Sequence, residues 1–179
     1  MLPNILTFFR IISAPILVVI LMSTEFKMVL AGLAIFIISS LTDFLDGYLA
    51  RSFNQSSKLG KILDPIADKL LVAAVILILT SKGVIKDWDT IPALIILLRE
   101  ITVSGLREYL AGIKISIPVS RIAKAKTFLQ LSALGLLILS ESNLNLLFII
   151  YLGKTFLWIA GILTLYTAYD YIKGSVKHF

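Results

Sequence analysis

Long apolar stretches separated by short polar segments most restrict how this chain can fold. They include 11–21, 29–41 and 70–79, and several apolar stretches along the chain come near 20 residues, the length that an α-helix needs to cross a bilayer. Hydrophobic residues make up 58% of the chain and its mean hydropathy is +0.96, whereas a soluble domain is about 45–50% apolar. We therefore predict an integral membrane protein rather than a soluble helical domain.

The spacing of polar segments predicts an all-α fold with six transmembrane helices, forming a single transmembrane domain over 1–179. A kink is expected in the third helix, because Pro65 frees a backbone carbonyl inside it. Polar loops are expected at 23–27, 52–58, 81–89 and 141–145, with a break at 112–118. The six helices are expected at 2–22, 28–51, 59–80, 90–111, 119–139 and 146–172.

An even number of crossings places both termini on one side of the membrane. On this topology 13 of the 17 lysines and arginines fall on the side of the termini. The positive-inside rule then places the termini and segment 43–68 in the cytoplasm. Arg10 lies inside the first apolar stretch, which favours a retained helix over a cleaved signal peptide. We expect a multi-pass protein of the cell inner membrane. The other four basic residues are Lys27, Lys82, Lys86 and Lys154.

Composition also limits the chemistry. The chain has no cysteine, and its one histidine is His178. We therefore expect neither thiolate chemistry nor a histidine metal site. A bound metal would have oxygen ligands, which suits Mg²⁺, Mn²⁺ or Ca²⁺. The net charge of +6 is typical of lipid headgroup contacts and membrane topology rather than of nucleic-acid binding.

Four aspartates lie beside apolar sequence, where carboxylates are costly. Asp43 and Asp46 are three residues apart, and Asp64 and Asp68 are four apart, so each pair shares one face of a helix. Four uncompensated carboxylates would repel one another, and one or two divalent cations would keep them ionised. Ionisable residues at membrane depth indicate a functional site.

Small residues and an arginine accompany these carboxylates. Gly47 and Ala50 continue the first stripe and Gly60 begins the second, so a ligand or a facing helix can approach the backbone closely. Arg51 could bind a phosphate through two parallel hydrogen bonds. Cations held by carboxylates could bind a pyrophosphate and assist an in-line displacement at phosphorus.

Three other interpretations fit the spacing. The aspartates could form structural ion pairs with Lys58, Lys61 and Lys69. They could line a cation pathway, as in a cation transporter. They could also bind the diphosphate of a prenyl-transfer substrate.

The complete pattern D-x₂-DG-x₂-AR-x₈-G-x₃-D-x₃-D at 43–68 resembles the signature of the CDP-alcohol phosphatidyltransferase family, with all eight fixed positions present. The resemblance implies two divalent cations, Mg²⁺ or Mn²⁺, and displacement of CMP from a CDP-lipid by an alcohol. Asp43, Asp46 and Asp64 match metal ligands. Asp68 lies beside the metals and matches the general base. The resemblance also implies a homodimer.

The same resemblance implies a group of CDP-binding residues in the N-terminal segment, on the second helix and in the loop after it. Gly47, Ala50 and Arg51 match positions that contact the CDP group. Further candidates from the N-terminal segment and the loop after Arg51 are Asn4, Thr7 and Ser57, although Asn and Thr near a helix start are also ordinary caps.

A second group of charges, on the fourth and fifth helices, suits a phosphorylated acceptor. It comprises Arg99, Arg107, Arg121, Lys124 and Lys126. Headgroup contacts are the competing explanation, especially for Arg121 and Lys124. On an ideal helix Lys124 and Lys126 point about 200° apart, so both converge only if the helix start is irregular. Lys126 and Gln130 share a face.

Three stretches resemble the members of the family that use sn-glycerol 3-phosphate as acceptor and CDP-diacylglycerol as donor. They are PNILT with Arg10, the pair LRE and LRE at 98–108, and AKAKT with Gln130. The resemblance implies an acceptor phosphate held by Arg99, Arg107, Lys124 and Lys126. Inositol phosphate, serine and phosphatidylglycerol are the alternative acceptors.

Overall fold

The computed structural model describes residues 2–53, 58–113, 115, 121–142 and 147–176; within the helices, the side chains of 2–6, 43–53, 58–62, 64, 65, 68, 121 and 176 lie outside the description. These residues form six α-helices and no strand, which confirms the predicted all-α fold. The helices are α1 (Leu2–Leu21), α2 (Phe26–Phe53), α3 (Lys58–Ser81), α4 (Thr90–Gly112), α5 (Arg121–Ser140) and α6 (Leu147–Val176).

Most helix ends lie within two residues of the predicted ones. α6 is the exception, because it continues to Val176 rather than 172. Lys173 lies in its last turn, where a cation is favourable beside the exposed helix carbonyls, so the basic residue extends the helix instead of ending it. The predicted loop at 81–89 contains a 3₁₀ turn at Asp87–Asp89 that leads directly into α4. The predicted kink in α3 stays a prediction, because the side chain of Pro65 is outside the described residues.

The helices pack in two groups of three. α1 contacts α2 and α3, while α6 contacts α4 and α5. The groups meet where α2 and α3 pack against α5 and where α3 packs against α4. Five helices therefore converge around one interior region, and residues far apart in sequence can line it together.

Apolar side chains cover both the interior and the exterior. The shared core includes Leu17, Phe36 and Val75 from the first group and Leu134 and Leu157 from the second, all buried. Many other large apolar side chains point outward, and contiguous apolar surface of this kind is unusual on a protein surrounded by water. Such an exterior suits contact with lipid. Examples are Val19, Leu77, Ile101, Phe128 and Ile162.

Two of the described helices are long and apolar enough to cross a membrane by length and composition, at Ile122–Ser140 and Leu147–Ser175. Three shorter apolar helical segments are found at Thr7–Leu21, Phe26–Thr42 and Lys69–Ser81. The long apolar helices and the apolar exterior favour a membrane protein, whereas six crossings remain a prediction.

Polar contacts hold the helix ends at the α3–α4 connection. Lys82 pairs with Glu141 at 2.5 Å, and its Nζ also donates to the carbonyl of Leu21 at 2.9 Å. It thereby joins the C-terminal ends of α1, α3 and α5. Asp89, just before α4, pairs with Lys154 at 2.7 Å and accepts a hydrogen bond from Trp158 Nε1 at 3.0 Å. This end of the molecule has a structural ion-pair network.

Candidate active site

The two predicted aspartate pairs lie on two successive helices. Positions 43–53 belong to α2 and positions 58–68 belong to α3, which confirms that both pairs have helical backbone. The side chains of this signature are outside the described residues, as are those of Asn4 and Arg121, and so is the whole of Ser57. Their metal-binding, CDP-binding and acceptor-binding roles stay predictions. Among described side chains no group of three acidic or histidine residues could hold a metal.

A cavity of about 250 Å³ lies between α1, α2, α3, α4 and α5. Four of these five helices contribute basic side chains, and α2 contributes two serines. Described residues that line it with polar groups are Arg10, Ser39, Ser40, Lys69, Arg99, Glu100, Arg107, Lys126, Thr127 and Gln130. The sequence-predicted residues Arg99, Arg107, Lys126 and Gln130 are thus brought together at one site.

The cavity is strongly cationic. Its described lining includes five basic residues and a single carboxylate, that of Glu100. Arg10 and Lys126 are each only 1% exposed, so their charges are largely removed from solvent. Charges in such surroundings interact more strongly than on a wet surface, because screening by water is weaker. An anion with several oxygens, such as a phosphate, is the ligand that this arrangement favours.

Glu100 connects two of the cations. Its Oε1 accepts hydrogen bonds from Lys126 Nζ and, at 3.3 Å, from an Arg99 NH group. The Lys126 side chain is 2% exposed, that of Arg99 is 12% exposed and that of Glu100 is 22% exposed. α4 and α5 are therefore joined by a buried ion pair at the cavity wall, although no packing between these two helices is prominent elsewhere.

Two further buried polar atoms contribute to the cavity. Arg99 Nε and Gln130 Oε1 have no hydrogen-bond partner within the part of the chain that the structure describes. Buried polar groups are nearly always paired, and each unpaired group costs about 1–3 kcal/mol. Both residues line the cavity, so these atoms are candidates for contact with a bound ligand.

Arg107 is the most exposed of the arginines that line the cavity. Its guanidinium carbon lies 5.8 Å from the centre of the Tyr171 ring on α6, within the range of a cation–π interaction. α6 thereby helps to orient a residue of the cavity without lining the cavity itself.

Lys124 and Thr7 lie elsewhere. Lys124 is exposed and does not line the cavity, because α5 is regular from Arg121 onward and points positions 124 and 126 to different sides. Thr7 is buried on α1, one turn before Arg10. The structure thus does not bring Lys124 or Thr7 to the described cavity lining.

Three charged residues of the cavity were not among the predicted site residues. Arg10, inside an apolar stretch, already carried a signal, since an ionisable residue at membrane depth indicates function. Lys69 was weighed only as a partner for the aspartates. Glu100 was noticed only as a neighbour of Arg99, because adjacent residues on a helix point in different directions and nothing in the sequence joins Glu100 to Lys126.

A second, mainly apolar cavity of about 450 Å³ lies between α3 and α4. Its apolar lining includes Leu70 and Ile101, and it shares Lys69, Val72 and Glu100 with the basic cavity. The basic cavity and the apolar cavity are therefore adjacent, with Glu100 and Lys69 in the wall of both.

Comparison with known proteins agrees with this arrangement. The sequence model of the family described as CDP-alcohol phosphatidyltransferase matches residues 1–166. A Rickettsia bellii protein named CDP-diacylglycerol–glycerol-3-phosphate 3-phosphatidyltransferase is 47% identical over 178 residues, covering 99% of this chain and 97% of the relative. A Salmonella choleraesuis protein of the same name is 37% identical over 175 residues, covering 97% and 93%. This chain therefore belongs to the CDP-alcohol phosphatidyltransferase family.

Proposed function

We propose that this protein transfers the phosphatidyl group of CDP-diacylglycerol to sn-glycerol 3-phosphate, giving phosphatidylglycerophosphate and CMP. The observation that carries the proposal is the cavity in which Arg10, Lys69, Arg99, Arg107 and Lys126 meet. Five basic residues against one carboxylate in the described lining favour an acceptor that carries a phosphate over one with no net charge, such as serine. The names of the relatives, which cover nearly the whole chain, support the same acceptor.

The acceptor phosphate would bind between α4 and α5. Arg99 and Arg107 can each donate two parallel hydrogen bonds to phosphate oxygens, while Lys126 acts as a compact charge. Gln130 is one turn after Lys126 and is 3% exposed, so its amide can contact the glycerol part of the acceptor. We retain Lys124 and Arg121 as weaker candidates from sequence.

The register of α2 and α3 supports a reaction centre beside this cavity. Ser39 lies four residues before Asp43, and Val72 lies four residues after Asp68, and both described residues line the cavity. Residues four apart share a helix face. The aspartate stripes are therefore expected one helical turn beyond the acceptor phosphate, which is a suitable distance for a three-carbon alcohol.

Two divalent cations, Mg²⁺ or Mn²⁺, would be held by four carboxylates, those of Asp43, Asp46, Asp64 and Asp68. Bound there, such ions would neutralise the diphosphate and stabilise charge that develops on phosphorus oxygens. Carboxylate oxygens are the donor type that these hard cations prefer.

The chain's own residues would carry the remaining chemistry. Asp68 accepts the proton of the acceptor hydroxyl, whose oxygen then forms a bond to the lipid-side phosphorus of CDP-diacylglycerol. The bond between that phosphorus and the bridging oxygen breaks, and CMP leaves with the electron pair. Gly47, Ala50 and Arg51 would hold the CDP group, with Asn4, Thr7 and Ser57 as further contacts. A general base contributes typically about 10²–10⁴-fold to such a step.

We further propose that all six helices cross the inner membrane as a single domain, with the termini and the aspartates on the cytoplasmic side. Charged residues in α2, α3 and α4 reduce the mean hydropathy of those helices, but the charges that are described in the cavity face the interior rather than lipid. A homodimer is the assembly that the family resemblance suggests.

Release of CMP by purified protein tests the proposed function. CDP-diacylglycerol and Mg²⁺ are supplied with sn-glycerol 3-phosphate, inositol phosphate, serine or phosphatidylglycerol in turn. We expect turnover with sn-glycerol 3-phosphate and loss of turnover when EDTA removes the metal. Asp68→Asn should abolish turnover while CDP-diacylglycerol still binds. Preference for another acceptor would contradict the acceptor assignment, and cation flux without CMP release would favour a transporter.

A further inference from the structure

The carboxylate of Glu100 is out of place in a cavity that binds an anion. It is the single acidic side chain among the described lining residues, opposite five basic ones. By Coulomb's law alone, a fixed negative charge next to the phosphate site weakens phosphate binding. A residue that acted only through its charge would therefore reduce the affinity for the substrate, and its removal would improve that affinity.

The contacts of Glu100 indicate a different effect. Its Oε1 meets Lys126 Nζ and Arg99, so one carboxylate oxygen holds two cations that come from different helices. A lysine has three N–H donors on a flexible four-carbon side chain, and fixing that side chain costs rotamer entropy. One donor bound to Glu100 fixes the ammonium and leaves two donors for a ligand.

Neighbouring charges make this support necessary. Lys126 is buried in the same cavity lining as Arg99 and Arg107, and repulsion between like charges at short range favours movement of its side chain away from them. Glu100 opposes this movement, because it offers a counter-charge within hydrogen-bond distance. Arg99 also keeps its Nε without an acceptor among the described residues, although an NH group bonds Glu100.

We propose that Glu100 is a positioning residue for the acceptor site: it holds Lys126, and with it Arg99, in the arrangement that binds the acceptor phosphate. This inference rests on the proposed function. It predicts that the positioning of Lys126 by Glu100 outweighs the electrostatic repulsion between Glu100 and the phosphate. Loss of positioning would raise the acceptor KM on mutation, whereas loss of repulsion would lower it.

Steady-state kinetics of Glu100→Gln distinguishes these signs. We expect the KM for sn-glycerol 3-phosphate to rise at least about tenfold, the size expected for loss of a charge-assisted hydrogen bond, with little change in the KM for CDP-diacylglycerol. Glu100→Asp keeps the charge but withdraws the carboxylate by one methylene, so it should remain impaired. An unchanged or lower acceptor KM in Glu100→Gln would overturn the proposal.

A double-mutant cycle with Lys126→Gln tests the direct link between the two residues. Once Lys126 is neutral there is no ammonium to hold, so adding Glu100→Gln should change the acceptor KM far less than it does in the wild-type background. Equal changes in both backgrounds would contradict the positioning role. The double variant has no unpaired charge at this pair, so thermal unfolding of Glu100→Gln and of the double variant, measured in parallel, shows whether the single variant is impaired by misfolding.

The matched control is Glu25→Gln, which removes an exposed carboxylate that lines neither cavity. It should leave the acceptor KM unchanged, and a rise equal to that of Glu100→Gln would attribute the effect to overall charge. Wild-type protein is assayed in parallel, so failure of the wild type to use sn-glycerol 3-phosphate would count against the proposed function. The proposal for Glu100 is judged only by the difference between Glu100→Gln and an active wild type.

Discussion

At the scale of single residues, the cavity separates two lysines that the sequence placed together. Lys126 is buried and lines the cavity, while Lys124 is exposed outside it. On an ideal helix the two side chains point about 200° apart, so both could reach one site only if the start of the helix were irregular. α5 is regular from Arg121, so the condition is not met.

Substitution of these two lysines tests the acceptor site. Lys126→Ala should raise the KM for sn-glycerol 3-phosphate about 10- to 100-fold, because a buried, charge-assisted contact to phosphate is lost. Lys124→Ala should have a smaller effect. The KM values of both substrates are measured for each variant. A parallel rise in the KM for CDP-diacylglycerol would show that Lys126 does not belong to an acceptor pocket.

The types of residue in the cavity were largely predictable, and their pairing was not. Arg99, Arg107, Lys126 and Gln130 could be proposed from a resemblance and from the cost of charge at membrane depth. The contact of Glu100 with Lys126 joins positions 26 residues apart on different helices. Such a contact depends on the rotation of α4 relative to α5, which no local pattern specifies.

At the scale of helices, α6 forms the outer support of the molecule. It packs on α4 and α5, and two glycines allow the close approach. A Cβ atom at Gly161 would lie 2.7 Å from Pro92 Cβ on α4, and one at Gly153 would lie 3.0 Å from Leu137 side-chain atoms on α5. Small residues serve this purpose in membrane helix pairs, where van der Waals contact replaces the hydrophobic effect.

Gly161→Ala is expected to destabilise the fold. Alanine gains up to about 1 kcal/mol over glycine in a helix interior, but overpacking costs about 1–3 kcal/mol. Pro92 is buried and rigid, so we expect the steric cost to exceed the gain in helix propensity. Thermal unfolding in detergent should show a midpoint lower by a few degrees, at about 2–4 °C per kcal/mol.

Gly174→Ala on the same helix is the matched control, because a Cβ atom there would have no neighbour within 4 Å among the residues that the structure describes. Its midpoint should stay the same or rise. A Gly161→Ala midpoint equal to that of this control would mean that α4 and α6 can separate without cost.

At the scale of the whole molecule, the two ends differ in chemistry. The ion pairs of Lys82 with Glu141 and of Lys154 with Asp89 are structural and lie around the α3–α4 connection. The basic cavity lies where α2 and α3 approach the aspartate segments. This division follows the predicted topology, in which Lys82 and Lys154 are among the four basic residues on the non-cytoplasmic side.

Accessibility of introduced cysteines tests that topology, and the chain has no native cysteine to remove. Lys86→Cys lies in the exposed α3–α4 connection, and Ile113→Cys, at a position 46% exposed, follows α4. In right-side-out vesicles a membrane-impermeant maleimide should label position 86 and not position 113, with the reverse result in inside-out vesicles. Equal labelling of both positions from one side would contradict a crossing by α4.

Apolar length, helical spacing and a local pattern of eight positions were enough to predict the six helices, the helical backbone of the aspartate segments and the family. Tertiary structure decided which charges share a cavity. It brought Arg10 and Lys69 to the basic cavity, left Lys124 outside it and joined Glu100 to Lys126. The physical reason is that helical periodicity sets directions within one helix, whereas contacts between helices depend on how their surfaces pack.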